Sequence, residues 1–346
     1  MTSAKPSSLR VMGVGCLISL ICYLTGMLVF LTPLPLMYVS LLLGRRAAIL
    51  TAMAVFAVIG GLYGFVLPLS AMAKAFLPSA PLLQFFTETG LVVLVLCHFL
   101  YFAVIGLGLA EGVHRRLTLG RWLGLALFLG LFVLGLAAVV IEGGTTIPLL
   151  KGVHFFIDEI IGDMAKLPEF TSGLGAKAYV LTEHREDIAG VAFQLMPSML
   201  FLSSLFVVVM NALLGRRFLG LKPMFRHIHN IASFRLADGW IWTLIAAWAL
   251  LFIEFSFGYG DGVRAIALNA AICVGSLYFL QGVAVAMYAL QGIRIPFFRL
   301  SVALFSLFFF HISVVAFIGL GIADVWLDFR NRIRRAKKDK EIETDS

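Results

Sequence analysis

Residues 86–110 read FTETGLVVLVLCHFLYFAVIGLGLA, and this stretch decides the fold class. Beyond Glu88 it carries no formal charge. At 1.5 Å per residue, a helix of this length crosses the roughly 30 Å hydrocarbon core of a bilayer. Comparable apolar runs occupy 11–31, 47–68, 122–141, 188–213, 264–290 and 298–322, with a slightly shorter one at 239–257. The composition agrees. The chain of 346 residues is 61% hydrophobic and 13% charged, whereas soluble domains carry about 45–50% apolar and about 25% charged residues. One protein core of this size cannot hide that much apolar surface, so lipid must cover it. The sequence therefore predicts an all-α fold: a polytopic transmembrane helix bundle with about eight long spanning helices.

A ninth element, 33–43, is too short for an upright span. It opens on Pro33-Leu34-Pro35-Leu36 and ends in Leu42-Leu43-Gly44-Arg45-Arg46. Prolines separate it from the preceding helix, and it reads as a short or tilted return helix. The N-terminal run 11–31 is too long for a signal-peptide core and lacks a small-residue cleavage site, so it reads as an uncleaved first spanning helix.

The net charge of +8 does not point to nucleic acid, because the basic residues sit in short clusters between apolar runs. Arg45-Arg46, His114-Arg115-Arg116 with Arg121, and Arg216-Arg217 with Lys222, Arg226 and Arg235 are placed in the cytoplasm by the positive-inside rule. Anionic lipid headgroups are natural partners for them. The 142–187 loop leans acidic and should lie outside. Within it Leu149, Val153, Phe156, Ile157, Ile160 and Met164 recur at 3–4 spacing, the signature of an amphipathic helix. Two readings stay open for it, an anchor lying on the membrane surface and a lid over an outward-facing cavity.

Residues 1–329 form a single transmembrane helix-bundle domain in this reading, and 330–346 a tail that is first basic, then acidic. A plain count of crossings would leave that tail outside, against its charge. The charge rule takes precedence, which makes the tail cytoplasmic and 298–322 the run expected not to cross simply or to fold as a hairpin of half-helices. The expected location is a bacterial inner membrane.

Cys16, Cys22, Cys97 and Cys273 all lie in apolar segments without a C-x-x-C pair, which argues against a disulfide framework or a zinc site. His227 and His229 would point to opposite sides of a helix, with no Cys or acid to complete a metal set. No phosphate-binding glycine loop, nucleophile elbow or zinc-protease helix is present. The chain thus lacks a recognisable ATPase, and nothing in it calls for a catalytic residue, a metal or a cofactor. The pentapeptide LLGRR occurs at 42–46 and again at 213–217, either an internal repeat or the chance of a Leu-rich composition.

Polar groups at membrane depth are the informative residues, because hydrocarbon penalises them. His98, Gln194, Asn269, Gln281 and His311 are the candidates for binding a polar solute. Gln194 and Ser198, four apart beside Pro197, should share a helix face. The competing reading is hydrogen bonding that only holds helices together. At the end of the last run, Asp324 and Asp328 should share a face, with Arg330 following and Arg332 in reach of Asp328. Those four residues mark either an exit helix anchored at the interface or a docking surface for a partner.

The Pro33-x-Pro35 to Leu42-Leu43-Gly44-Arg45-Arg46 stretch, Gln281-Gly282, and the Gly321-x-x-Asp324-x-x-x-Asp328-Phe329-Arg330 ending resemble the YybS-like family of bacterial membrane proteins. The N-terminal half of that family is in turn similar to the substrate-binding subunits of energy-coupling-factor vitamin transporters. The resemblance implies a bundle that binds a small solute and docks on a separate coupling membrane subunit with ATPases. The segments counted above outnumber the six helices of a typical binding subunit. Two function classes follow. One is a small-solute transporter, or a solute-binding membrane subunit without its own ATPase. The other is a non-transporting scaffold for envelope or division proteins, working through its loops and tail. An enzyme acting on lipid-linked substrates is a third and weaker idea, invited only by the outer loop.

Overall fold

The computed structural model describes residues 7–66, 87–145, 147–165, 183–218, 225, 231–258, 260–291 and 296–335. They are helical, with no β-strand among them. Among the described residues, seven helices are long and apolar enough to cross a membrane. The described chain gathers into two compact units, 1–117 with 121–225, and 118–120 with 226–346.

Unit 1 contains α1 (Ser8–Leu24), α2 (Pro33–Leu43), α3 (Arg45–Gly61), α4 (Glu88–His114), α5 (Leu119–Glu142, whose first two residues fall in the other unit), α6 (Leu149–Ala165), α7 (Arg185–Gln194) and α8 (Met196–Phe218). The run 11–31 is not one helix. It stops at Leu24, turns through Gly26 at φ +67°, and continues as a 3-10 turn, Val29–Leu31. Glycine takes that left-handed conformation at no steric cost. Pro33 and Pro35 then fall in the first turn of α2, where missing N–H groups would have no helical partner anyway.

The short helix α2 is the centre of unit 1, with Leu36, Met37 and Val39 fully buried. Three glycines on three neighbours make room for it. A Cβ on Gly15 of α1 would come within 2.5 Å of Val39 Cγ2, one on Gly106 of α4 within 2.5 Å of the Pro33 carbonyl, and one on Gly215 of α8 within 3.0 Å of Met37 Cε. Small residues at such interfaces let helix backbones approach where no hydrophobic drive separates protein from lipid. The broken backbone ahead of α2 needs hydrogen bonds that lipid cannot supply. Asn211 of α8 meets part of that need by donating from Nδ2 to the Phe30 carbonyl at 2.7 Å.

The contacts also set the directions of the helices. Val11, Val39 and Ala48 cluster at one end of unit 1, whereas Tyr23 reaches Val95 and Leu91 packs with Ala137 and Ile141 towards the other. Trp122 Nε1 donates to the Leu109 carbonyl at 2.6 Å, so α5 runs back along α4. Arg45 at the start of α3 pairs with Glu111 of α4 at 2.6 Å, Arg115 also bonds Glu111, and His114 Nε2 lies 3.2 Å from the Ser40 carbonyl. Arg10, Arg45-Arg46, Arg115-Arg116, Arg121 and Arg216-Arg217 therefore gather at one end. The acidic-leaning α6 and α7 lie at the other.

Unit 2 contains α9 (Trp240–Phe257), α10 (Asp261–Gln291), α11 (Pro296–Phe308) and α12 (Phe310–Leu327), preceded by a 3-10 turn, Ile231–Ser233. The run 298–322 is not one helix either. Phe309 leaves helical geometry at φ −101°, ψ 46° and divides α11 from α12; α12 alone is long and apolar enough to span, so the run is not a pair of half-helices by length.

Candidate functional site

The most extensive polar arrangement in unit 2 is built where α10 and α12 touch. Gly282 and Gly321 allow the contact: a Cβ on Gly282 would strike the Phe317 carbonyl, and one on Gly321 the Tyr278 carbonyl. This approach puts Gln281, 1% exposed, beside Gly321 and Asp324. Gln281 Nε2 donates to the Gly321 carbonyl at 3.1 Å and to Asp324 Oδ2 at 3.2 Å, while its Oε1 accepts from the Leu236 N–H at 2.9 Å.

Asp324, also 1% exposed, is the hub. Its Oδ1 accepts from the Phe329 N–H at 3.1 Å, and its Oδ2 accepts from Arg330 Nη2 at 3.2 Å. Asp328 makes this possible. It caps α12 in the left-handed region at φ +44°, a conformation that Asp tolerates better than most residues. The chain turns there and swings Arg330 back. Arg330 Nη2 also donates to the Phe234 carbonyl at 2.7 Å. Burial pushes the Arg330 guanidinium down from its ordinary range, and Asp324 beside it pulls it back. An arginine in such a pair stays charged.

Asp328 lies 3.6 Å from Arg235, which is also 3.4 Å from Asp238. The expected partner Arg332 is exposed, and the Asp328 carboxylate faces Arg235 and the Asn331 amide instead. The result is a clasp: Gln281, Asp324 and Arg330 close residues 234–236 onto the α10–α12 pair. The Tyr278 hydroxyl and Arg330 Nε are buried without a hydrogen-bond partner among the described residues.

Unit 1 holds a different group. His98, near the middle of α4, is exposed, while Tyr23, Phe99, Tyr101 and Phe102 around it are buried. Its Nδ1 lies 3.3 Å from the Tyr23 hydroxyl, which donates to the Val95 carbonyl at 2.6 Å. The His98 ring sits edge-on to Phe102 at 5.0 Å. Tyr101 donates to Ser204 Oγ at 3.0 Å, tying α4 to α8.

The remaining candidates are each placed by their own helix. Gln194 closes α7 and Ser198 opens α8, so they belong to two helices rather than one face; Pro197 is taken up in the first turn of α8. Asn269 donates to Ala265 of its own helix at 2.7 Å. His311 is exposed at the start of α12. The structure thus joins Gln281 to Asp324, which in turn holds Arg330; of the five solute-binding candidates, His98 and Gln194 lie in unit 1, and Asn269, Gln281 and His311 in unit 2. Sequence reasoning missed the 234–236 segment, which takes part through backbone groups and leaves no side-chain signature. No group of three or more His, Cys, Asp or Glu able to hold a metal occurs among the described residues; His227 and His229 lie outside them.

A family model described as "Predicted membrane protein (DUF2232)" matches residues 69–325. The chain belongs to that family. The DUF2232 match takes in α4 to α12, and with them His98 and most of the clasp; Phe329 and Arg330 lie beyond its end. Searches of curated proteins and of solved structures found no match. Family membership and the seven apolar helices together make this a multi-pass membrane protein.

Proposed function

We propose that this protein is a solute-binding subunit of a transporter in a bacterial inner membrane, without its own ATPase, and that unit 1 carries the solute site beside His98. One observation carries the reading. An imidazole near mid-span is left outside the packed core and held by the Tyr23 hydroxyl, where lipid would be a poor neighbour and a polar solute or a water-filled cavity a good one. The architecture supports it. Among the described residues, unit 1 has four helices long and apolar enough to span, α3, α4, α5 and α8, and two shorter apolar ones, α1 and α2; together they equal in number the six helices of the binding subunits that the sequence resembles. Unit 2 then accounts for the helices in excess of six.

The positive-inside rule turns the arginine-rich end of unit 1 to the cytoplasm. A coupling membrane subunit with its ATPases would meet that end, and the same charge rule makes the basic C-terminal tail cytoplasmic in this reading.

The test is to isolate the tagged protein in native nanodiscs and identify what accompanies it by mass spectrometry. A small polar molecule present in the wild type and lost in His98→Ala, with the helical circular dichroism intact, is the expected result. The same molecule retained by His98→Ala would refute the site. Envelope or division proteins recovered with no small molecule would favour a scaffold instead.

A further inference from the structure

The outer pair α6–α7 offers a surface that the solute-binding proposal does not use. The two helices are joined through the polar side of α6. Arg185 of α7 makes two bonds to Asp158, Nε to Oδ1 at 2.8 Å and Nη2 to Oδ2 at 2.6 Å. It also covers Gly162, where a Cβ would fall within 2.7 Å of the guanidinium carbon. Ile161 of α6 and Ala189 of α7 are buried. With 100° per residue, Asp158 and Gly162 lie about half a turn around α6 from the stripe Leu149, Val153, Phe156, Ile157, Ile160 and Met164. α7 therefore takes the polar face and leaves the apolar one.

That stripe carries no ionisable group. Val153, Phe156 and Ile157 are partly exposed, Ile160 is 42% exposed, and Met164 is 40% exposed. An uncovered apolar helix face in water is unusual, and here a cover lies close by. The last turns of α5 present Leu136, Val139 and Val140 outward, on a helix long and apolar enough to span. Glu142 at the end of α5 accepts the Leu149 N–H at 2.9 Å, so α6 begins where the spanning helix leaves the hydrocarbon. Leu149, the first residue of the stripe, packs with Leu91, Ala137 and Ile141, and the stripe beyond it, from Val153 to Met164, stays at least partly exposed at that level.

We infer that α6 lies on the bilayer with its apolar stripe in the leaflet at the end opposite the arginine clusters, and that α7 rides on its outer side as a brace. Apolar burial holds it there rather than charge, since Asp158, Glu159 and Asp163 outnumber Lys151 on this helix. The inference stands apart from the solute site.

The test uses the full chain in phosphatidylcholine nanodiscs, with the four native cysteines changed to alanine and a single nitroxide label on Ile160→Cys, Met164→Cys or Lys151→Cys. Relaxation by oxygen and by a water-soluble nickel chelate reads the depth of each label. Labels at 160 and 164 should collide several-fold more with oxygen than with nickel, and a label at 151 the reverse. Adding phosphatidylglycerol should leave the depths unchanged. Nickel access at 160 and 164 equal to that at 151 would overturn the inference, as would protection there from both reagents, the mark of a protein-covered lid. A benzoylphenylalanine at Ile160, in a chain with its cysteines intact, gives an independent reading: lipid adducts support the inference, and adducts only to protein overturn it.

Discussion

Replacing Asp324 by alanine should unfold unit 2 more readily, by about 3 kcal/mol. Two estimates meet at that figure. Removing one partner of a buried ion pair costs about 3–5 kcal/mol, because the other charge stays buried and uncompensated. Arg330 is in that position, with its side chain only 11% exposed and a single remaining bond, to the Phe234 carbonyl. Counted by bonds, the carboxylate gives up contacts to Phe329, Gln281 and Arg330. Polar bonds between membrane helices average about 0.6 and reach about 1.7 kcal/mol, which puts three of them at about 2–5 kcal/mol. The assay is equilibrium unfolding in mixed dodecylmaltoside–dodecylsulfate micelles, followed by tryptophan fluorescence. Arg330→Met, which keeps the apolar stem, should cost a similar amount. The double variant should be no worse than either single change, because removing both members of a buried pair is often close to neutral. A cost for Asp324→Ala under about 0.5 kcal/mol, the size of a change at an exposed position, would refute the clasp. So would a double variant whose loss equals the sum of the singles.

Gly106→Val should destabilise unit 1 by about 1–3 kcal/mol or more through overpacking against the Pro33 carbonyl; Gly124→Ala, with open space around it, is the control in the same micelle titration. Gln281→Leu strips a partner from the Leu236 N–H and the Gly321 carbonyl, and faster proteolysis within 226–240 is the expected readout. Arg185→Ala removes a partly exposed pair worth about 0.2–1 kcal/mol, so global unfolding should barely move while hydrogen exchange in 185–194 rises. Cysteines at Asp163 and Arg217 should react with an impermeant maleimide from opposite sides of the membrane, and labelling from the same side would reverse the orientation argued from the arginines.

Much of this fold was legible in the residue order, and the reason is chemical. A bilayer allows few backbone solutions, so an apolar run such as 86–110 has to be a helix wherever it ends up. The periodic stripe of α6 was visible for the same reason. Helix interruptions were harder to read. Thr25-Gly26 in 11–31 and Phe309 in 298–322 leave the hydropathy of their runs almost unchanged, yet each divides a helix. Among the polar candidates, Gln281, Asp324, Asp328 and Arg330 stood out by type and spacing, but in two separate groups, one assigned to a solute and one to a partner. Nothing in the order of residues says that Gly282 and Gly321 bring those groups together.

By itself, then, the sequence determined the helical class, the membrane setting, the arginine-rich end and the rarity of each buried polar group, because all four depend on transfer between water and hydrocarbon, which acts residue by residue. Only the tertiary structure decided that the short return helix α2 is also the buried centre of unit 1, that Gln281 faces Asp324 and Arg330, that α7 covers the polar face of α6, and that His98 is left outside the packing. Those outcomes depend on the close approach of distant segments at glycines and on backbone groups of 234–236 acting as partners, and neither leaves a mark that a single chain, read in order, can carry.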